Sequence, residues 1–410
     1  MLWILLVFSL LPHPAWGHAG DILDSLDVEL PETDTESVLL ESSIGALWAE
    51  DGKDYQWLCH EAVTLPDTLL TPRYVVSSNA TLLAALSSAG AGRERDIPMY
   101  RSTDRCAWDP VSGLDSYAVL DVVYHPERST TVYAVANQPD GISSNGVFQS
   151  NDDGRTWSAT TLQATDRTFR SVLVTKEHLW STAVNFSTQQ GWIYRSDDGG
   201  LTWDEFPLNL SGYASPPDVK LGTLHNDVLW FIVTQTLDDQ LWSFDGTQST
   251  QMAQAETKIM NATSIDSGVY VALWNEGIAR WTGSELELLP DTPKSYAVRS
   301  RDNRLYAATR PLFTNYGLMT SNEGDPFQPG WAYDALLPPP ECPADSDSHT
   351  ACNPLWETLA ARLAPPVDTG EETDTGDTPP EKSCGDNKAW LVFFLPLAFF
   401  RRLHGTKHHL

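Results

Sequence analysis

Arg73, Arg101, Arg170, Arg299 and Arg310 are the side chains whose chemistry would matter most if the fold gathered them. A guanidinium fork grips a carboxylate through two parallel hydrogen bonds, so three at one mouth would hold an acidic substrate. Nothing in their spacing selects three. The acidic pairs Asp204-Glu205 and Asp238-Asp239 could serve a hydrolase as acid and base, with their separation across a pocket setting the stereochemistry. With 55 Asp and Glu in the chain, such adjacency is expected by chance. His60-Glu61 opens like the helical zinc motif His-Glu-x-x-His, but Thr64 and Leu65 stand where its second histidine belongs. His125, His178 and His225 are isolated, and no Gly-x-Ser-x-Gly or phosphate-binding Gly-Lys loop occurs. Asp345 and Asp347 offer oxygens suited to calcium without completing a known loop. No catalytic residue, metal ligand or cofactor is therefore assigned.

The elements that would position such groups must come from a chain with 41% hydrophobic and 20% charged residues, enough to bury a core. A net charge of −29 repels phosphate backbones and argues against a nucleic-acid partner. The ends read as addresses. Leu2–Leu11 is a run apolar but for Ser9, closed by Pro12 and Pro14 and followed by small residues, which predicts a signal peptide over 1–19. Residues 365–383 are rich in Pro and acids and predict an extended linker. Cys384-Gly385 follows, then the apolar stretch Ala389–Phe400 and the pair Arg401-Arg402. About 18 Å of helix is short for a ~30 Å hydrocarbon core, but flanking cations can snorkel, and the basic pair fits a cytoplasmic stop.

This order of acidic linker, Cys-Gly, short apolar stretch and arginine pair over 384–402 resembles the Cys-containing C-terminal sorting tags of myxobacteria and their relatives. The resemblance implies a Gram-negative cell-surface or outer-membrane protein, a membrane processing protease as partner, and processing or lipid attachment at Cys384. An ordinary single-pass anchor is the alternative. Five cysteines in an exported chain leave one odd. Cys342 and Cys352 flank a short loop, and Cys59 and Cys106 fall on equivalent positions of neighbouring repeats, so the expected pairs are Cys342–Cys352 and Cys59–Cys106. Cys384 then stays unpaired.

Two segments, Val147–Trp157 and Ile193–Trp203, carry the same Ser-x-Asp-x-Gly-x-Thr-Trp pattern. Its residues are Ser150, Asp152, Gly154, Thr156 and Trp157, and again Ser196, Asp198, Gly200, Thr202 and Trp203. Such a pattern closes a hairpin: the carboxylate accepts turn N–H groups, Gly supplies a backbone conformation costly to others, and Trp wedges between sheets. The 46-residue offset is blade-like. Weaker copies at Leu47, Met99, Leu241, Ile278 and Leu318 (Asn322 and Gly324 in the last) extend the series to anchors near 48, 100, 148, 194, 242, 279 and 319. Seven hairpins, each preceded by β-branched runs, predict an all-β, seven-bladed β-propeller over 37–337, six or eight blades being the alternatives. Residues 338–364 would add a Cys-bridged loop and a short helix, Trp356–Leu363.

The pattern resembles the Asp-box, or BNR repeat, of sialidases and sortilin-like propellers. In that family the boxes are structural and peripheral, while sialidases place an arginine cluster, a Tyr nucleophile with an assisting Glu, and an Asp at the central mouth. Here Arg95-Asp96-Ile97-Pro98 interrupts the family's Arg-Ile-Pro entry motif with an Asp. The reading is a noncatalytic binding or scaffold disc for an extracellular protein or glycan, with a sialidase-like exo-glycoside hydrolase as the alternative.

Overall fold

A computed structural model describes residues 23–31, 36–64, 71–87, 97–138, 144–210, 217–235, 238–322 and 325–364. The signal peptide, Arg95 and Asp96, Gly324, the linker, Cys384 and the C-terminal tag lie outside these residues. Among the described residues, twenty-eight strands form seven four-stranded antiparallel sheets, each a simple meander in chain order. These are the blades of a seven-bladed β-propeller, spanning 25–59, 73–110, 118–164, 168–209, 218–255, 259–288 and 295–331. First strands of successive blades pack side by side, and the first strand of blade 7, Ser295–Arg301, packs on that of blade 1, Ser25–Glu29, so the ring closes.

All seven sequence anchors fall on third strands: Gly45–Ala49, Met99–Ser102, Asn145–Ser150, Gln190–Ser196, Asp239–Phe244, Gly277–Trp281 and Leu318–Asn322. Blade 1 begins before Ser37. Its first strand, Ser25–Glu29, is short and half acidic, and only its place beside arginines of other blades makes it a strand of the core.

Each blade interface is a separate apolar core. Trp157 packs with Leu83, Val111 and Val132 between blades 2 and 3. Trp180 joins Phe231 and Phe244 between blades 4 and 5, and Trp230 joins Leu241 and Val271 between blades 5 and 6. Side chains also cross between blades to satisfy backbone groups. Asn137 accepts from the Phe169 N–H at 2.8 Å and donates to its carbonyl at 2.9 Å, and Asn261 does the same to Val298.

In both repeat turns the bonds are the same. Asp152 accepts from the Thr156 N–H (2.8 Å) and hydroxyl (2.7 Å), the Ser150 hydroxyl takes the Gly154 N–H (2.9 Å), and the Trp157 indole donates to the Gly154 carbonyl (3.0 Å). Asp198, Thr202, Ser196, Gly200 and Trp203 repeat this set. Gly154 and Gly200 have φ of +81° and +95°, which a side chain would strain. Bonds from the Thr202 hydroxyl and N–H hold the Asp198 carboxyl down at about 2. The carboxylates are spent within their own turns. Asp152→Ala or Asp198→Ala should lower Tm by loosening its own turn, without altering ligand binding; differential scanning calorimetry with a binding assay checks both parts.

Ring closure uses a strap rather than a shared strand. After blade 7 the chain crosses the edge of blade 1, where Leu337 donates its N–H to Tyr55 O (2.9 Å) and accepts from Trp57 N (3.3 Å). It then enters the helix Asp347–Leu363, capped by the Ser346 hydroxyl, which accepts from His349 N. The helix starts earlier than Trp356 because Asp347 and Ser348 are held by blade 2: Trp108 N donates to Asp347, and the Trp108 indole donates to the Ser348 hydroxyl.

The expected cysteine pairs are corrected here. The disulfides are Cys59–Cys352 and Cys106–Cys342, so both tie the strap to the disc, one to blade 1 and one to blade 2. A local Cys342–Cys352 bridge is ruled out by the path of the chain, which carries Cys342 past blade 2 before the helix returns Cys352 to blade 1.

Candidate functional site: the channel and its mouth

First strands alternate side chains between the blade interfaces and the channel, so Asp27 and Glu29 of blade 1 point inward together. Their partners come from both neighbours. Arg299 of blade 7 grips Asp27 through two bonds (3.0 and 2.6 Å), and Arg73 of blade 2 reaches Asp27 (3.0 Å), Glu29 (2.9 Å) and Asp121 of blade 3 (3.1 Å). Glu41 stands 3.8 Å from Arg73 and accepts the Tyr74 N–H at 2.8 Å.

Four carboxylates share two guanidinium groups, and burial decides how the excess is resolved. Burial alone would raise Asp27, but Arg299 and Arg73 hold it below its ordinary value. Burial outweighs Arg73 at the other two, lifting Glu29 to about 7 and Glu41 to about 8. Near neutrality Asp27 is thus ionised between the two arginines while Glu41 keeps its proton. Because folding raises these two carboxyls above their ordinary 4.5, their protons favour the folded state most fully below that pH. That contribution is lost as pH rises through 7 and 8. Tm should therefore fall between mildly acidic and mildly alkaline buffer, and Glu41→Gln, which fixes the neutral form, should flatten the fall; thermal melts across pH test it.

Of the sequence-selected arginines, the fold brings together only Arg73 and Arg299. Arg101 is buried between blades 2 and 3 on Asp153, at 2.9 Å. Arg170 holds Asp218 through two bonds of 2.5 and 2.6 Å. Arg310 lies 3.6 Å from Asp24 and donates to Asn275 at 2.5 Å. Each guanidinium already faces a carboxylate. The carboxylates themselves escaped the sequence reading, although the alternation Asp27-x-Glu29 was a usable sign of an inward-facing strand.

The remaining candidates scatter. Asp204 and Glu205 sit exposed on an outermost strand, and Asp239 is buried, accepting from Ile259 N (2.9 Å) and pairing with Lys258 (2.9 Å). His60 is buried against Tyr74 and the Ser42 carbonyl. His125 and His178 line a cleft of about 280 Å³ under the blade 3–4 boundary, His178 lying 2.8 Å from Asp197. Among the described residues no group of His, Cys, Asp and Glu is arranged to hold a metal ion.

Each meander starts its first strand and turns from its second to its third strand at the same end, so these features of all blades share one face. On that face Tyr296 is the extra residue of a bulge in the first strand of blade 7, between Ser295 and Ala297. Its hydroxyl donates to Asp24 at 3.1 Å. Burial and the Asp24 charge raise the phenol above its ordinary value, so it stays protonated. Arg170 is likewise the extra residue of a first-strand bulge, in blade 4. Bulges of this kind re-aim a side chain.

With that geometry in place, comparison with known proteins adds likeness of fold. No family model matches the chain, and no curated protein matches it. Solved structures do. The chain is similar to a Hadza microbial sialidase, Hz136 (13% identity, 72% of this chain and 73% of that one, TM-score 0.41). It is similar to the periplasmic gluconolactonase PpgL of Pseudomonas aeruginosa (11%, 64% and 84%, 0.42). It is also similar to the GH74 xyloglucanase of Xanthomonas campestris (10%, 76% and 68%, 0.38). The chain is a seven-bladed β-propeller, and the two disulfides fit an extracellular or periplasmic protein.

Proposed function

We propose that this protein is an exported, surface-anchored propeller that recognises an extracellular partner without transforming it. The observation that carries the reading is the channel: among the described residues its two arginines, Arg73 and Arg299, are already paired with Asp27, Glu29 and Asp121 and so are not an open clamp for a substrate carboxylate. The export signal over 1–19, the tag over 384–402 with Cys384 as its processing or lipid-bearing residue, and the identity of the repeat turns as Asp-boxes belong to the same proposal. The disulfides support the extracytoplasmic part of it.

The hydrolase alternative draws on one feature, the Tyr296–Asp24 hydrogen bond beside Arg310. The two readings separate in one assay. The full chain, incubated with fluorogenic sialosides and related glycosides, should release no fluorophore. Turnover lost in Tyr296→Phe and Arg310→Lys would overturn the noncatalytic reading. For the tag, the intact mass of surface protein should end near Cys384; a mass that includes residues beyond Phe400 contradicts processing.

A further inference from the structure

Of the tryptophans among the described residues, Trp274 alone is exposed, at 43%. The others pack in the blade interfaces or lie partly covered against them. Trp274 sits in the turn between the second and third strands of blade 6, on the face where the first strands begin. It is held there rigidly. Its backbone N–H donates to Lys258 O (2.9 Å) and its carbonyl accepts from the Thr257 hydroxyl (3.1 Å), while the indole lies beside the Tyr296 hydroxyl. A turn fixed at both of its backbone groups presents the indole with little backbone entropy left to lose on binding.

Planar polar groups surround it. Tyr296 passes its proton toward Asp24, and the Arg310 guanidinium lies 5.2 Å over the Tyr296 ring and donates to Asn275. These residues come from blades 6, 7 and 1, so the arrangement is a product of the ring and not of one hairpin. A second station of the same composition stands on blade 4 of that face. Phe186, 41% exposed in the equivalent turn, has Arg170 5.8 Å over its ring, and Arg170 is paired with Asp218.

We propose that Trp274 and Phe186 are stacking platforms for a neutral oligosaccharide, with the Asn275 and Arg310 side chains beside Trp274 taking its hydroxyl groups. This deepens the recognition reading given above and rests on it. An aromatic plane flanked by donors and acceptors matches the alternating C–H faces and hydroxyl rims of a pyranose. Charge selects the neutral class: Arg310 and Arg170 already face Asp24 and Asp218, and a chain of net −29 repels sialylated or uronic glycans.

The test presents the full chain to an array of neutral gluco-, xylo-, manno- and galacto-oligosaccharides beside sialylated and uronic ones, then titrates a retained sugar by tryptophan fluorescence. Neutral oligosaccharides should be retained. Trp274→Ala should weaken binding at least about tenfold and abolish most of the fluorescence change, Trp274→Phe should retain most affinity, and Phe186→Ala should give a smaller loss. All these positions are on the surface, so melts should match the native protein. Retention of no glycan, preference for the anionic ones, or undiminished binding by Trp274→Ala would overturn the platform. A bound glycan that is also hydrolysed would support the platform and overturn the noncatalytic reading; capture of a protein ligand with no glycan bound would do the reverse.

Discussion

Replacing Arg73 by methionine should cost about 3–5 kcal/mol of stability, the largest effect expected of any single channel substitution. Arg73 is the shared counterion of three blades: it pairs with Asp27 and Glu29 of blade 1 and Asp121 of blade 3, with Glu41 a little farther away. Methionine fills much the same volume but leaves those carboxylates buried with only Arg299 to answer them. The remaining stability should come to depend steeply on pH, improving in acid as the orphaned carboxyls take up protons. Arg299→Met should cost less, because its close partner is Asp27 alone and Glu29 is 3.8 Å away. Urea unfolding checks the ranking: the midpoint should fall most for Arg73→Met, and adding Glu29→Gln and Glu41→Gln should recover part of the loss. Equal loss for both arginines, or no recovery, would contradict the shared-counterion account.

Opening the Cys59–Cys352 bridge should be the other large effect. The bond spans 293 residues, and with Cys106–Cys342 closed inside it the ring it completes still runs through residues 59–106 and 342–352, longer than a local bridge would close. On the chain-entropy account a ring of that length is worth about 4 kcal/mol, and measured losses on removing native disulfides run to about 2–5 kcal/mol. Cys59→Ser with Cys352→Ser should therefore lower Tm by on the order of 10 °C. Cys106→Ser with Cys342→Ser, closing 236 residues, should cost nearly as much. Had the local pairing held, the Cys342/Cys352 double variant would open one short loop worth about 3 kcal/mol, whereas with the observed pairing it opens both bridges. Disulfide mapping by peptide mass after non-reducing digestion tests the connectivity directly.

The two effects mark where the sequence was legible and where it was not. All seven third strands could be placed because each carries its information locally, six of them as an aromatic strand followed by a turn and Leu318–Asn322 as an apolar start running into Ser-Asn. The Ser150–Trp157 and Ser196–Trp203 turns satisfy themselves through bonds to residues at most four positions away. The first strand of blade 1 failed that test: Ser25–Glu29 has two acids in five residues, and its burial depends on Arg73 and Arg299, far off in the chain. Disulfide connectivity was hidden for the same reason, since four cysteines allow three pairings and only the path of the strap chooses among them. Trp274 was one tryptophan among 16. Its meaning lies in falling one residue past the end of the strand Gly268–Leu273, an offset that pattern alone does not resolve.

The strap has a mechanical consequence. A pull applied to the chain at Ala364 meets the helix first, and then the Cys352 bridge into blade 1 and the Cys342 bridge into blade 2. Tension is thereby shunted by covalent bonds into two neighbouring blades and never loads the hydrogen bonds of the last strand, Gln328–Trp331. A ring closed only by packing between blades 7 and 1 would otherwise be peeled from its C-terminal end; this one can be tugged by its tail and keep its shape.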